Sequence, residues 1–213
     1  MSSKRILLAE DHALMRRGIT YVLQAEVPSA QLVEARTCAE LLERLSFGPY
    51  DLLVLDVVLP DGNTLDVLPG LVARYPDLPI LMYSMSAESI YADRAFALGA
   101  KAYVSKMDEE QELVKAARAL LRGITYRTPS QELRLLDQPS LRDWSDPFRA
   151  LSGRELTVMD YLLRGKTVGD IAETLKVTSS TAATYKARLF NKLGVTNLIE
   201  LQRKAAAHGY GSS

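Results

Sequence analysis

Five short apolar runs, each followed by a longer segment with helical periodicity, occupy residues 1–123. An unbroken apolar run is typical of a strand buried on both faces, and such strands occur in parallel sheets. The predicted strands are residues 5–9, 31–35, 52–55, 80–83 and 102–104.

The segments between the strands have apolar residues three and four positions apart, which is typical of helices packed on a sheet. The predicted helices are residues 12–24, 38–46, 65–74, 87–98 and 109–121. Since strands and helices alternate throughout, the chain is predicted to begin with an α/β domain, a doubly wound five-stranded parallel sheet.

The apolar periodicity is lost over residues 124–149, where Pro129, Pro139 and Pro147 predict a linker. Residues 150–213 contain no strand pattern and are predicted to form a small all-α domain of four helices. Each helix is predicted to start at a capping residue. Three of these residues have an acidic partner three positions later, namely Ser152 with Glu155, Thr167 with Asp170 and Asn197 with Glu200, and the fourth is Thr178.

The charge balance differs between the two predicted domains. Residues 1–123 carry a net charge of −4 and residues 151–213 a net charge of +4, although the whole chain is neutral. A basic second domain favours a polyanionic partner for that domain. The lone cysteine, Cys38, the absence of a secretory signal pattern and the absence of a long apolar segment predict a cytoplasmic protein without a membrane span.

Polar side chains follow four of the predicted strands. In an open parallel sheet, ligands bind at the carboxyl ends of the strands, so these side chains are expected to converge. They are Glu10, Asp11, Asp56, Ser84 and Lys106.

Three carboxylates held together repel one another unless a cation neutralises them, and Mg²⁺ is bound by a few carboxylates and its own waters. With Mg²⁺ present, Asp56 can attack a phosphoryl group while Lys106 offsets the charge on the transferred oxygens. Taken singly, the same residues also fit a solvated helix start, a loop acid and a surface lysine; it is their joint position that favours a phosphorylation site.

At these residues the chain resembles the receiver domain of bacterial two-component response regulators. The resemblance covers about residues 4–123 and rests on "LLAEDH" at 7–12, "LLVLDVVLPDG" at 52–62, "LMYSMS" at 81–86 and "GAKAYVSK" at 99–106. It implies the following roles: Asp56 as phosphoacceptor, Glu10, Asp11, Asp56 and the Val58 backbone carbonyl around Mg²⁺, Ser84 and Lys106 on the phosphate, and Tyr103 as the switching aromatic. Tyr103 also fits a ring at the edge of the core.

The chain departs from many receivers at two positions. Thr64 replaces a glycine in the loop after the phosphoacceptor, which puts the loop geometry in question, and Met107 replaces the proline after Lys106. An enzyme of the haloacid dehalogenase type would place a second aspartate two residues after Asp56 as general acid. Val58 occupies that position, so the site is predicted to carry a slow phosphorylation mark rather than to turn over a substrate.

Residues 151–195 resemble the LuxR-type (NarL/FixJ class) helix-turn-helix domain, which implies DNA binding. The matching positions include Leu151, Arg154, Glu155 and Gly165, and a generic four-helix bundle is the alternative. At 100° per residue the predicted recognition helix turns Ala182, Tyr185, Leu189 and Leu193 towards the core. Its opposite face and the two flanking lysines are the predicted DNA contacts: Ser180, Ala183, Thr184, Lys186, Ala187, Arg188, Asn191 and Lys192.

Many members of this family carry lysine at the positions of Ala183, Ala187 and Gly169. Fewer phosphate contacts predict that DNA affinity depends less steeply on salt. Each neutralised phosphate contributes about −0.9 to the slope of the logarithm of the binding constant against the logarithm of salt concentration. The methyl groups of Ala183 and Ala187 suit close approach to thymine methyls, and Arg188 or Asn191 can supply hydrogen bonds.

The chain is thus predicted to be a DNA-binding response regulator, phosphorylated on Asp56 by a sensor histidine kinase, with Mg²⁺ as cofactor and with a double-stranded DNA operator as target. The resemblance implies a homodimer on phosphorylation or DNA binding, with residues 197–207 as the dimer contact of the tail. The alternative is a phosphorylation-independent transcription factor whose first domain is a protein-docking module.

Overall fold

A parallel sheet forms the centre of the first half of the chain. The computed structural model describes residues 3–137, 146–208 and 210, so residues 138–145 of the predicted linker and residues 1–2, 209 and 211–213 of the predicted domains lie outside the described residues. The five strands are β1 (Arg5–Ala9), β2 (Gln31–Ala35), β3 (Leu52–Leu55), β6 (Ile80–Ser84) and β7 (Ala102–Ser105). They are all parallel, in the order β2-β1-β3-β6-β7, which confirms the predicted fold class.

Side chains of alternate strand residues pack into two apolar layers, one on each face of the sheet. Leu7, Leu53 and Met82 belong to one layer, whereas Leu8 and Val54 belong to the other. The helices that cover the two faces are α1 (Ala13–Glu26), α2 (Cys38–Leu45), α3 (Thr64–Arg74), α4 (Glu88–Ala97) and α5 (Glu110–Leu121).

A small antiparallel hairpin follows the central strand β3, and the sequence patterns did not predict it. Its strands, β4 (Val58–Leu59) and β5 (Gly62–Asn63), are joined by Pro60 and Asp61. Two residues per strand are too few to show alternation, and the turn residues were the one available signal. The hairpin places Asn63 at the start of α3, where its side chain accepts a hydrogen bond from the amide of Leu65 at 2.9 Å.

The second half of the chain is helical in its described residues. A short helix, α6 (Pro129–Asp137), lies within the predicted linker, and a 3₁₀ turn spans Pro147–Ala150. The tail domain contains the four predicted helices: α7 (Gly153–Leu163), α8 (Val168–Thr174), α9 (Ser179–Leu193) and α10 (Leu198–Ala207).

The helix starts of the tail follow the predicted capping residues. Reciprocal capping boxes join Ser152 with Glu155 and Thr167 with Asp170, each of which satisfies two backbone amides that the helix cannot. Helix α9 ends at Gly194, whose φ of 62° is left-handed and therefore suits glycine. Helices α8 and α9 form the helix-turn-helix.

Helix α7 packs against the first domain and holds the tail domain on it. The side-chain amide of Asn63 donates to the Gly153 carbonyl at 3.0 Å and to the Thr157 hydroxyl at 2.7 Å, and the Gly153 amide donates to Asp66 at 2.8 Å. A Cβ at Gly153 would lie 2.7 Å from the Asn63 side chain, so only glycine allows this approach. Apolar residues of both domains share one buried cluster, which makes the two domains one packed unit.

Among the described residues, no helix is both long enough and apolar enough to cross a membrane.

Leu53→Ala tests the central position of β3. Leu53 is fully buried, so the cavity left by its removal should lower the free energy of unfolding by about 2–5 kcal/mol. The matched control is Leu14→Ala, because Leu14 is 83% exposed and its loss should change the value by no more than about 0.5 kcal/mol. Urea unfolding followed by circular dichroism measures both, and equal losses would contradict this assignment of the core.

Candidate functional site

The carboxyl ends of β1, β3, β6 and β7 meet at one edge of the sheet and bring the predicted polar residues together. The ammonium group of Lys106 donates to carboxylate oxygens of both Glu10 and Asp56. The hydroxyl of Ser84 donates to the other oxygen of Asp56, Oδ1, at 2.5 Å. Asp56 is therefore held from two sides by residues of two different strand ends.

This cluster is almost closed to solvent, which changes the acidity of its members. Burial raises the pKa of Glu10, and the nearby Asp56 raises it further, although Lys106 acts in the opposite direction. Burial alone would lower the pKa of Lys106, but the two carboxylates outweigh burial and raise it. Lys106 is therefore a fixed positive charge at neutral pH, placed where a phosphoryl group on Asp56 would develop negative charge.

Asp11 and His12 extend the acidic cluster towards solvent. The Nδ1 atom of His12 lies 2.9 Å from Asp11 Oδ1 and 3.2 Å from Glu10 Oε1. One ligand atom from each of these three residues lies within 4.8 Å of the others, which is compatible with a shared metal ion. The contacts of His12 with these two carboxylates were not predicted, because they depend on the backbone conformation of the turn after β1, which residue spacing does not specify.

The donor set fits a hard divalent cation. Glu10, Asp11 and Asp56 would supply carboxylate oxygens to such an ion, and the Val58 carbonyl belongs to the hairpin that starts two residues after Asp56. Oxygen ligands of this kind suit Mg²⁺ better than a soft metal.

Thr64 shows how the loop after Asp56 accommodates its departure from the receiver pattern. Its hydroxyl donates to the carbonyl of Asp56 at 2.7 Å, with Val57 as a second acceptor at 3.2 Å, and the side chain is fully buried. The threonine therefore fixes the backbone at Asp56 through its hydroxyl, which a glycine at this position lacks.

Tyr103 points inward. The ring is fully buried, and its hydroxyl donates to the carbonyl of Ser86 at 2.7 Å. Burial raises the pKa of this phenol well above its usual value, so it stays protonated and remains a donor. Tyr103 thus connects β7 to the loop between β6 and α4, two residues beyond Ser84.

The tail domain covers the site, and sequence reasoning missed this. A cavity of about 170 Å³ is lined by Asp56, Ser84 and Lys106 from the first domain and by Arg154, Arg164 and Lys176 from the second. Contacts between domains depend on tertiary packing, for which the sequence contained no periodic signal.

Two bonds attach α7 and the residue that follows it, Arg164, to the loop after Ser84. Arg164 donates to the Met85 carbonyl at 3.0 Å, and the Ala87 amide donates to the carboxylate of Asp160. Arg164 also pairs with Asp160, with Nε 2.8 Å from Oδ1. Together with the Asn63 contacts, these bonds place α7 across both loops that flank Asp56.

The outer face of α9 lies open to solvent, as its phase predicted. Ala182, Leu189 and Leu193 are buried in the core, and Tyr185 is partly buried. The exposed outer positions are Ser180, Ala183, Thr184, Ala187, Arg188 and Asn191.

The two predicted flanking lysines are engaged within the tail. The ammonium of Lys192 lies 2.6 Å from Glu155 and 3.0 Å from the Ala150 carbonyl, so it stabilises the start of α7. The Lys192 side chain is nevertheless 40% exposed, so it stays a predicted DNA contact that would exchange this ion pair for a phosphate. Lys186 lies 5.2 Å from the centre of the Phe190 ring and remains at the edge of the face.

Comparison with known proteins agrees with the geometry. Residues 6–118 match the family described as response regulator receiver domain, and residues 149–205 match the family described as bacterial regulatory proteins, luxR family. The chain belongs to the response regulators. This regulator is 31% identical over 210 residues to Response regulator GacA of Pseudomonas aeruginosa, an alignment that covers 96% of each chain.

Other relatives extend over nearly the whole regulator. Fimbriae Z protein of Salmonella typhimurium is 28% identical over 208 residues, covering 98% of this chain and 99% of that one. The solved structure of RcsB from Salmonella enterica serovar Typhimurium shares the fold with a TM-score of 0.63 at 24% identity, covering 97% of this chain and 100% of RcsB.

Asp160→Asn tests the buried carboxylate between the domains. Burial raises the pKa of Asp160 above its usual 3.8, with Arg164 opposing, so the folded protein binds this proton more tightly than the unfolded chain does. The wild type consequently loses stability as the pH rises from the unfolded value through the raised one, whereas the amide does not titrate. The urea midpoint of the variant, compared with that of the wild type, should therefore increase as the pH is raised above about 4, the usual pKa of an aspartate.

The control for this pH series is Asp77→Asn, at an exposed position. Its midpoint should run parallel to that of the wild type, and a parallel curve for Asp160→Asn would refute the account of the interdomain carboxylate.

Proposed function

We propose that this regulator is phosphorylated on Asp56 by a sensor histidine kinase. The observation that carries the proposal is the bonding of Asp56 to Ser84 and Lys106 at the sheet edge. A carboxylate oxygen of Asp56 attacks the phosphorus, a P–O bond forms, and the P–N bond of the phosphohistidine breaks with its electron pair going to the imidazole nitrogen. Lys106 and Ser84 then donate to the oxygens of the transferred group.

Mg²⁺ is the proposed cofactor, held by Glu10, Asp11, Asp56 and the Val58 carbonyl. When bound, it neutralises the carboxylates and the charge of the transferred phosphoryl group. The support is the set of oxygen donors and the close approach of Glu10 and Asp11.

The covalent mark adds about −1.5 to −2 charges at the sheet edge, which draws Ser84 and Lys106 towards the new oxygens. Ser84 is followed directly by Met85, whose carbonyl is bound by Arg164 of the tail. Movement of this loop therefore strains the contacts of α7, and the tail domain is released from the phosphoacceptor edge.

The proposed output is sequence-specific binding to a double-stranded DNA operator and control of transcription. Support comes from the exposed outer face of α9 and from RcsB, whose solved structure is described as bound to promoter P1flhDC in the presence of the phosphomimetic BeF₃⁻. The proposed DNA contacts are Ser180, Ala183, Thr184, Lys186, Ala187, Arg188, Asn191 and Lys192.

A homodimer would present two tails to two half-sites about 10 base pairs apart. Helix α10 is the proposed tail contact: Leu201 is buried in the domain, whereas Ile199 is 61% exposed and available to a second copy. The receiver is proposed to support only its own phosphotransfer and slow autodephosphorylation, because Val58 occupies the position where a hydrolase would place its general acid.

Asp56→Asn should abolish labelling of the protein by radioactive acetyl phosphate, since an amide is no nucleophile for phosphorus. Labelling of the wild type should need Mg²⁺. Asp11→Asn should raise the Mg²⁺ concentration needed for half-maximal labelling by at least about tenfold, because it removes a charged ligand. Asp77→Asn, which changes an exposed carboxylate elsewhere, should label normally. Normal DNA binding in a wild type that takes up no phosphate would favour the alternative, a phosphorylation-independent factor.

Arg188→Ala should weaken operator binding. If Arg188 makes a bidentate contact with a base, its loss costs about 1–3 kcal/mol and relaxes the preference at that base pair. Arg122→Ala removes an exposed arginine from the first domain and should leave affinity unchanged. Fluorescence anisotropy with operator variants measures both, and an unchanged base preference in Arg188→Ala would rule out base contact by this residue.

A further inference from the structure

The carboxylate of Glu88, the first residue of α4, is the acceptor for a set of donors from the start of the linker. Its side chain is only 17% exposed. The donors all come from the segment that begins α6, and each lies within hydrogen-bond distance of one of the two oxygens: Thr128 at 3.3 Å, Ser130 at 3.0 Å, Gln131 at 3.0 Å and Arg134 at 2.9 Å.

Gln131 is the centre of this network and is 2% exposed. Its amide nitrogen donates to Glu88 and also to the backbone carbonyl of Tyr103 at 2.7 Å, while its oxygen accepts from the Thr128 amide at 3.2 Å. Thr128 is buried as well. Because every polar atom of the Gln131 side chain is used, helix α6 is fixed in one position on the α4–β7 face of the first domain.

The same network reaches the phosphoacceptor. The Tyr103 hydroxyl donates to the Ser86 carbonyl at 2.7 Å, the Ser86 amide donates to the Ser84 hydroxyl at 3.3 Å, and that hydroxyl donates to Asp56. Glu88 lies four residues beyond Ser84 in the same loop and helix start. The linker helix is thus bonded to both elements, β7 and the start of α4, that adjoin the switch residues.

We propose that α6 is a latch, closed by Glu88 and Gln131, which reports the state of Asp56 to the segment that joins the two domains. Movement of Ser84 towards a phosphoryl group shifts Ser86 and the start of α4, and the Glu88 carboxylate moves out of register with its donors on α6. The latch then opens, which frees both the linker and the α4–β7 face that α6 covers. The inference rests on the proposed phosphorylation of Asp56.

The energetics favour a switch over a passive packing contact. Displacement of the Glu88 carboxylate affects several bonds of the network together, because its two oxygens accept from Thr128, Ser130, Gln131 and Arg134. The latch residues touch neither the phosphoryl site nor the tail domain's outer face, so they act through Ser86 and Tyr103 as positioning residues.

Hydrogen exchange measured by mass spectrometry on the full-length protein tests the latch. In the wild type, BeF₃⁻ with Mg²⁺ should speed exchange of the α6 amides at least tenfold. Glu88→Gln should already exchange at that rate without BeF₃⁻ and should show no further response. Glu132→Gln is the matched control, because it neutralises an exposed glutamate on the same helix, and it should behave like the wild type.

Peptides covering residues 52–63 report BeF₃⁻ binding in the same samples. If they become protected while α6 is unchanged, the latch is overturned and the proposed phosphorylation stands. If they do not respond, the phosphorylation itself fails and the latch loses its trigger. A Glu88→Gln protein that exchanges like Glu132→Gln also overturns the latch, whatever BeF₃⁻ does.

Discussion

The ion pair network of Lys106 with Glu10 and Asp56 is the constraint on which the rest of the structure depends. It joins residues that follow three parallel strands, β1, β3 and β7, at an edge where two buried carboxylates would otherwise repel each other. Each group is nearly closed to solvent, so the network holds only while the strand ends keep their places in the sheet. Any new charge on Asp56 therefore changes the bonding of the whole edge.

The tail domain is docked on this edge through α7, and its helix α9 is left exposed. Helix α7 binds both loops beside Asp56, through Asn63 on one side and Met85 on the other. The outer face of α9 remains exposed. The docked arrangement thus restricts access to Asp56 while leaving the outer face of α9 open, and the linker helix α6 covers a third surface beside Tyr103.

Much of this architecture could be predicted from the sequence because it depends on local rules. The five parallel strands follow from apolar runs, the tail helices start at capping residues such as Ser152, and the α9 stripe follows from helical phase. The rest depends on contacts between segments far apart in the chain. The ion pair of Lys192 with Glu155 and the Glu88 network required tertiary positions that no spacing encodes. At Thr64 the sequence left the geometry of the loop after Asp56 in question. The structure shows that the Thr64 hydroxyl holds this loop by a hydrogen bond to the backbone of Asp56.

The central claim is that the state of Asp56 controls the docking of the tail domain. Single-molecule energy transfer between dyes attached at two exposed positions, Glu43 on α2 and Arg203 on α10, measures the separation of the domains in individual molecules. The proposed role of Asp56 predicts one high-transfer population without phosphodonor, and a shift to lower transfer when BeF₃⁻ and Mg²⁺ are added, with no shift in Asp56→Asn. Unchanged transfer in a protein that binds BeF₃⁻ at Asp56 would contradict it.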